Sequence, residues 1–345
     1  MQHATLLKKP EGEIMTDKNP VIETTELKKY FPLSQGFLET LLSRRQTFVR
    51  AVDDISFKIE AGEVFGLVGE SGSGKTTTGR LLLKLIEPTS GSIIFNGQNL
   101  AELPDKELKP LRRKMQMIFQ DPYESLNPRM TIKDTLSEPL TVQKLVNSRA
   151  EIDEKVREIL EAVELTPPDM FLLRFPHELS GGQRQRVVVA RAFILDPEFV
   201  VADEPVSMLD VSIRAGILEL VLNLVEKFNA SFLYITHDLA LARHMCDRIA
   251  VMYLGKIVEM GPTEKIVYEP MHPYTNALIE AVPIPDPKAK RIEVVIKGEI
   301  PSPTNPPTGC RFHTRCPHTM DVCRKKEPLL KDVNGKHYVA CHLIK

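Results

Sequence analysis

The 345-residue sequence lacks any apolar run fit to cross a bilayer as a helix; its longest, from Ile249 to Leu254 and from Gly216 to Val225, are too short or too interrupted. Contact with a membrane would therefore go through a partner. The stretch from Met1 to Pro20 is polar, with Lys8, Lys9, Glu11 and Glu13 scattered through it. It lacks the apolar core of a secretory signal, and the expectation is a cytoplasmic protein. A net charge of −1 gives no bulk electrostatic reason to bind nucleic acid or an anionic surface. No internal repeat of solenoid period occurs. Cysteine is nearly absent until the end, since Cys246 alone precedes Cys310, and this excludes a disulfide framework running through the chain.

What is present belongs to an ordinary globular chain. Hydrophobic residues make up 42% and charged residues 26%, which excludes a mainly disordered or fibrous protein. The length suits one large α/β domain with an appendage. Val21 to Tyr30 and Ala51 to Ile59 alternate as strands of a peripheral β-layer, joined by a segment with weak helical periodicity from Phe37 to Arg45. Glu63 to Val68 is a compact apolar strand, followed by a glycine-rich turn and a helix from Lys75 to Leu85. Ser92 to Phe95, closed by the turn pair Asn96-Gly97, and Met115 to Phe119 read as further strands.

Helical patterning then takes over from Ile132 to Leu165, with Ser148 and Glu151 spaced as a capping box. Arg184 to Leu195 and Ile213 to Phe228 read as helices, and Phe199 to Ala202 and Ser231 to Ile235 as strands, an alternation that implies a parallel sheet. Prolines 283, 285, 287, 301, 303, 306 and 307 mark a linker into a small module. The expected organisation is a flexible segment over 1–20, a domain over 21–260 with a helical subdomain over about 122–195, and an irregular Cys-rich extension over 261–345.

Gly69 to Thr76 fits G-x-x-x-x-G-K-[ST] in the strand-to-helix context that the motif requires. Glycines let backbone N–H groups turn toward phosphates, and the following helix adds its positive dipole end. The candidate ATP contacts are Gly69, Ser71, Gly72, Ser73, Gly74, Lys75, Thr76 and Thr77. Lys75 supplies a point charge to the β- and γ-phosphates and the Thr76 hydroxyl helps hold Mg²⁺. Asp203 and Glu204 end an apolar strand at the edge where ligands bind. Asp203 suits a Mg²⁺ role through a coordinated water, and Glu204 suits polarising the water that attacks the γ-phosphate. Gln120 and His237 each follow a strand and share that edge. Leu179-Ser180-Gly181-Gly182-Gln183 opens a helix with Ser180 as cap and two glycines that permit close approach to an anion.

The phosphate loop, Gln120, the segment Leu179 to Gln183, Asp203-Glu204, Ser207 to Asp210 and His237 occur in the order and approximate spacing of ABC-type ATPases, and over residues 21–260 the chain resembles that family. The resemblance implies a P-loop core with a mainly parallel sheet and a peripheral antiparallel layer. It implies a composite site in which Ser180, Gly181, Gly182 and Gln183 of one subunit cap the γ-phosphate held by the other. Glu204 would be the catalytic base, His237 its link to the γ-phosphate, Gln120 a Mg²⁺-sensing contact, and Ser207 to Asp210 an interface segment. Met208 departs from the alanine usual there. Tyr30, Phe31 and Phe48 are candidates for the aromatic that stacks on adenine.

Met117 to Pro122, Ser125 to Met130, His272 to Thr275, Pro301 to Pro303 and Gly309 to Phe312 are similar to the ATPases of oligopeptide and dipeptide importers. The chain looks like the second of two ATPases in such a system. A paralogous ATPase, two transmembrane permeases and an extracytoplasmic substrate-binding protein are implied partners, without nucleic acid, on the inner face of the membrane. Relatives that look alike serve oligosaccharides or nickel.

Cys310, Cys316, Cys323 and Cys341 are separated by five, six and seventeen residues, not in the paired C-x₂-C arrangement of most structural zinc sites. In a reducing compartment the choices are an iron–sulfur cluster, zinc, or thiols that simply pack. The resemblance implies a four-iron cluster (4Fe-4S) on these four residues.

Overall fold

The computed structural model describes residues 19–33, 47–146, 148–281 and 298–344. Of the expected flexible segment 1–20, residues 1–18 lie outside the described residues and Pro20 begins a strand; the periodicity from Phe37 to Arg45 and the prolines at 283, 285 and 287 also lie outside the described residues.

Twelve strands are described: β1 Pro20–Pro32, β2 Phe48–Glu60, β3 Val64–Val68, β4 Ser90–Phe95, β5 Gln98–Asn99, β6 Met115–Ile118, β7 Phe199–Asp203, β8 Ser231–Thr236, β9 Arg248–Tyr253, β10 Lys256–Pro262, β11 Lys331–Asp332 and β12 Tyr338–Val339. They form two sheets, a four-stranded antiparallel layer in the order β2-β1-β4-β5 and an eight-stranded sheet in the order β11-β12-β10-β9-β3-β8-β7-β6. The centre of the larger sheet is parallel, as the alternation of strands and helices requires.

Burial on both faces explains why β3, β7 and β8 read as continuous apolar runs. Val64, Val68, Val200, Ala202, Phe232 and Tyr234 join the core on one face. Phe65, Leu67, Phe199, Val201, Leu233 and Ile235 join a second core beneath the antiparallel layer, where Phe57 stacks on Phe65 at 5.4 Å. The expected helical insert is present as Ile132–Val142 and Arg149–Ala162, and the Ser148 hydroxyl caps the second of these by accepting from Glu151 N at 3.2 Å.

The C-terminal extension does not form a body apart. Its strand β12 pairs with β10 (Glu259↔Val339, Met260↔Tyr338) and so lengthens the central sheet. Two helices unread in the sequence, Thr263–Tyr268 and Pro273–Glu280, lead into it. Pro273 sits in the first helical turn, where its missing N–H costs nothing.

Candidate functional site

The parallel register brings four strand ends to one edge. Val68 pairs with Thr236, Asp203 with Ile235, and Ala202 with Ile118, so Gly69, His237, Glu204 and Gln120 all emerge on the same side of the sheet. Two glycines fix the path of the phosphate loop. A Cβ on Gly69 would meet the Met252 carbonyl oxygen at 2.1 Å, and one on Gly74, whose φ is 109°, would meet that of Ala51 at 2.1 Å. Gly74 then opens the helix Lys75–Leu82, whose first N–H groups are free for an anion.

Lys75 is buried, and its ammonium donates to the carbonyls of Gly69 at 2.7 Å and Glu70 at 3.0 Å. Burial lowers its pKa, while the carboxylates of Glu204, Asp203 and Glu70 oppose that shift. Such a cation, held among carbonyls inside the loop, gains from a phosphate oxygen. Ser73 Oγ is buried without a hydrogen-bond partner in the same loop, and Ser71 and Gly72 are exposed at its tip.

Facing Lys75, the Thr76 hydroxyl donates to Asp203 Oδ1 at 3.0 Å. Burial raises the Asp203 pKa, the Thr76 hydrogen bond lowers it, and Glu204 raises it further. A carboxyl so placed is better ionised with a dication nearby, so Thr76 and Asp203 fit Mg²⁺ delivered with a nucleotide. Glu204 Oε1 lies 3.1 Å from His237 Nδ1 and Oε2 accepts from Gln120 Nε2 at 3.4 Å. The residue has a left-handed backbone, φ 45°, a conformation that costs free energy in a non-glycine residue. Thus Lys75, Thr76, Asp203, Glu204, Gln120 and His237 converge.

Ser180 to Gln183 do not join this group within one chain. Ser180 Oγ accepts from Gln183 N at 3.3 Å and Gln183 Oε1 accepts from Ser180 N at 3.1 Å, a reciprocal cap. Gly181 and Gly182 lie against Leu209 and Ile213. Nearby Met208 and Val211 are 60% and 78% exposed, a bare apolar edge beside the cap.

Tyr30 pairs with Arg50 across β1 and β2, one residue from the Ala51 carbonyl that touches Gly74. Its hydroxyl donates to Asp53 Oδ1 at 2.5 Å and Arg50 lies over its ring at 5.7 Å, while Phe31 and Phe48 remain exposed.

The four tail cysteines are free thiols. Cys310 N donates to the Cys323 carbonyl at 2.8 Å. Burial pushes the Cys310 thiol up to about 11, and Cys323, Cys341 and Cys316 add to the rise; burial likewise raises Cys316 and Cys341. Yet among the described residues no group of three or more His, Cys, Asp or Glu side chains could hold a metal ion. The expectation of a metal site on Cys310, Cys316, Cys323 and Cys341 thus finds no ligand set among the described residues. Cys246 is fully buried and its thiol is raised by burial, as expected of a packing residue.

Sequence reasoning missed Glu70, Arg315 and Asp53. Arg315 is bonded to Glu70 through both nitrogens, and Asp53 is bonded to Tyr30 and Arg311. Arg315 and Glu70, like Arg311 and Asp53, lie more than 200 residues apart in sequence, and no spacing rule reaches that far.

Comparison with known proteins agrees with this geometry. Residues 52–207 match the ABC transporter family and residues 258–323 the oligopeptide/dipeptide transporter C-terminal region. The chain is 46% identical over 330 residues to the oligopeptide transport ATP-binding protein AppF of Bacillus subtilis (strain 168), covering 95% of this chain and 98% of that protein. It is 48% identical to the putative oligopeptide transport ATP-binding protein YkfD of the same organism, covering 94% and 95%. Among solved structures it is similar to the dimeric bacterial ABC transporter cassette MJ0796, with a TM-score of 0.61, 28% identity, and coverage of 70% of this chain and 98% of that one. A post-hydrolysis dimer of the same cassette, bound to ADP and Pi, gives a TM-score of 0.60 at 28% identity and the same coverage. The chain belongs to the ATP-hydrolysing subunits of the ABC transporter family, in the branch that carries the oligopeptide/dipeptide transporter C-terminal region.

Proposed function

We propose that this chain powers the import of dipeptides or oligopeptides across the cytoplasmic membrane, working at its inner face as one of two paired ATPases. The observation that carries the reading is the convergence of Lys75, Thr76, Asp203, Glu204, Gln120 and His237 on one sheet edge, in a chain whose C-terminal region matches that of peptide transporters. The loop from Gly69 to Thr77 binds the phosphates. Thr76 and Asp203 would hold the Mg²⁺ that arrives with ATP, which when bound would supply charge to polarise the γ-phosphate. Glu204 orients and polarises the attacking water, His237 holds Glu204 and reaches the γ-phosphate, and Gln120 reports the state of the site. Tyr30 borders the adenine. Ser180 to Gln183 complete the site of the neighbouring subunit, a paralogous ATPase, with their exposed, capped helix start. Two permeases carry the cargo that a binding protein delivers.

The direct test measures ATP binding and turnover in Glu204→Gln and Lys75→Ala. Glu204→Gln is expected to keep ATP and lose about 10²–10⁴-fold in hydrolysis, while Lys75→Ala loses binding. Full turnover in Glu204→Gln would remove the base from its role. Uptake of labelled peptides by the reconstituted complex separates peptide cargo from oligosaccharides or nickel.

A second reading concerns Cys310, Cys316, Cys323 and Cys341. Three of them fall in the region that matches the oligopeptide/dipeptide transporter C-terminal family, and four thiolates are the ligand number of a 4Fe-4S cluster. Protein purified without oxygen is then expected to be brown with about four irons per chain; a colourless, zinc-loaded sample would refute it.

A further inference from the structure

Glu70, the second residue of the phosphate loop, is held from outside the loop at two points. Its backbone N–H donates to the Tyr274 hydroxyl at 2.9 Å. Its carboxylate takes both terminal nitrogens of Arg315, at 2.7 and 3.0 Å, a bidentate pair that fixes direction as well as distance. The Arg315 side chain is only 8% exposed, lies 5.7 Å from the Tyr253 ring and 6.0 Å from that of Phe312, and reaches Tyr253 Oη at 3.4 Å. Those rings pack on Tyr274 at 4.7 and 5.3 Å, so the arginine is seated on a rigid aromatic base. The Glu70 carbonyl is in turn one of the two that hold the Lys75 ammonium. Arg315, Glu70 and Lys75 therefore form one continuous chain of contacts from the tail to the phosphate site. Four residues before Arg315 in the same loop, Arg311 pairs with Asp53 and with the Leu254 carbonyl, and Asp53 holds Tyr30.

We infer that Arg315 is a positioning residue of the nucleotide site: through Glu70 it sets the phosphate loop in its binding shape, so that the cysteine-bearing tail governs ATP affinity. The inference rests on the ATPase reading. Positioning before binding lowers the ordering cost that ATP would otherwise meet, so its loss falls on KM and on nucleotide affinity more than on kcat.

The test compares Arg315→Ala, Arg315→Lys, Glu70→Ala and the double alanine variant in the full chain, by ATP turnover and by titration with a fluorescent ATP analogue. Arg315→Ala is expected to raise KM and the analogue's Kd about three- to tenfold, with kcat changed by less than about twofold. Lysine should recover only part of the loss, because one ammonium cannot make the two parallel bonds. In the double variant the effects should coincide rather than add, since both single changes break the same bond. Wild-type affinity in both single variants, or effects that multiply in the double variant, would overturn the inference. Should Arg315→Ala fail to fold, Glu70→Gln weakens the same pair without leaving a gap, and the same rise in KM is expected; its absence overturns the inference equally. Lys75→Ala, run in parallel, separates the two levels. If it abolishes binding while Arg315→Ala and Glu70→Ala leave binding untouched, the ATP site stands and only the role of Arg315 falls.

Discussion

His272 shows how one buried side chain ties the tail's stability to pH. Burial lowers its pKa to about 3, and its Nδ1 accepts from Tyr274 N at 3.1 Å, a bond that requires the unprotonated nitrogen and caps the helix Pro273–Glu280. A lowered folded pKa means that the unfolded chain binds the extra proton. Stability from this residue is thus fully present above the ordinary histidine pKa of about 6.5 and declines as pH falls toward 3, by at most about 1.4 kcal/mol per pH unit. Urea midpoints measured between pH 7 and 4 should fall less steeply in His272→Asn, which keeps a capping acceptor but does not titrate; parallel slopes would contradict the assignment. Gly74 offers a second test at this scale. Its φ of 109° and the Ala51 carbonyl oxygen, 2.1 Å from where a Cβ would stand, predict that Gly74→Ala distorts the phosphate loop. Titration with an ATP analogue should show at least about a tenfold loss of affinity, with a loss of stability of about 1–3 kcal/mol.

Among the elements, the helix Gly181–Phe193 separates two roles that its first residue combines. Ser180 closes the reciprocal cap with Gln183, and under the proposed function its hydroxyl also meets the partner's γ-phosphate. Ser180→Ala should lose both, with about 1 kcal/mol of stability. Ser180→Asp keeps a capping acceptor and adds a charge that favours the helix start, so thermal stability should hold. The same charge repels a triphosphate, and ATP-driven pairing, followed by size-exclusion chromatography of the Glu204→Gln background, should vanish. Pairing that survives the aspartate would sever Ser180 from the partner's nucleotide. The cap was legible in the sequence because it is local, spanning four residues, and so were β3, β7 and β8, whose apolar runs admit only a doubly covered sheet. The helix Pro273–Glu280 was not, because it is short and a proline in the first turn looks the same as one that forbids a helix. The pairing of β12 with β10 was likewise hidden, since two-residue strands carry no period to read.

At the scale of the whole molecule, the edge of the candidate site was legible because the phosphate loop, Gln120, Glu204 and His237 follow strands and parallel strands share their ends, whereas the docking of the tail depends on pairs of residues that no local pattern connects. Glu259 is the plainest of these. It is fully buried on β10, and its carboxylate accepts from Met271 N at 2.8 Å, His272 N at 3.0 Å and His337 Nε2 at 2.8 Å. The last partner comes from the β11–β12 turn, so one carboxylate joins the sheet, the helix that reaches Glu70 through Tyr274, and the end of the chain. Removing His337 leaves a buried carboxylate one donor short, and an unsatisfied buried group costs more when it is charged. His337→Ala should therefore destabilise the protein by several kcal/mol, whereas Glu259→Gln combined with His337→Ala, which neutralises the orphaned group, should recover part of that loss. Chemical denaturation of the single and double variants decides the matter. If His337→Ala costs less than about 1 kcal/mol, the buried carboxylate is not what fastens the tail to the ATPase sheet, and the β12–β10 pairing with the contacts of Arg311 and Arg315 must hold it there instead.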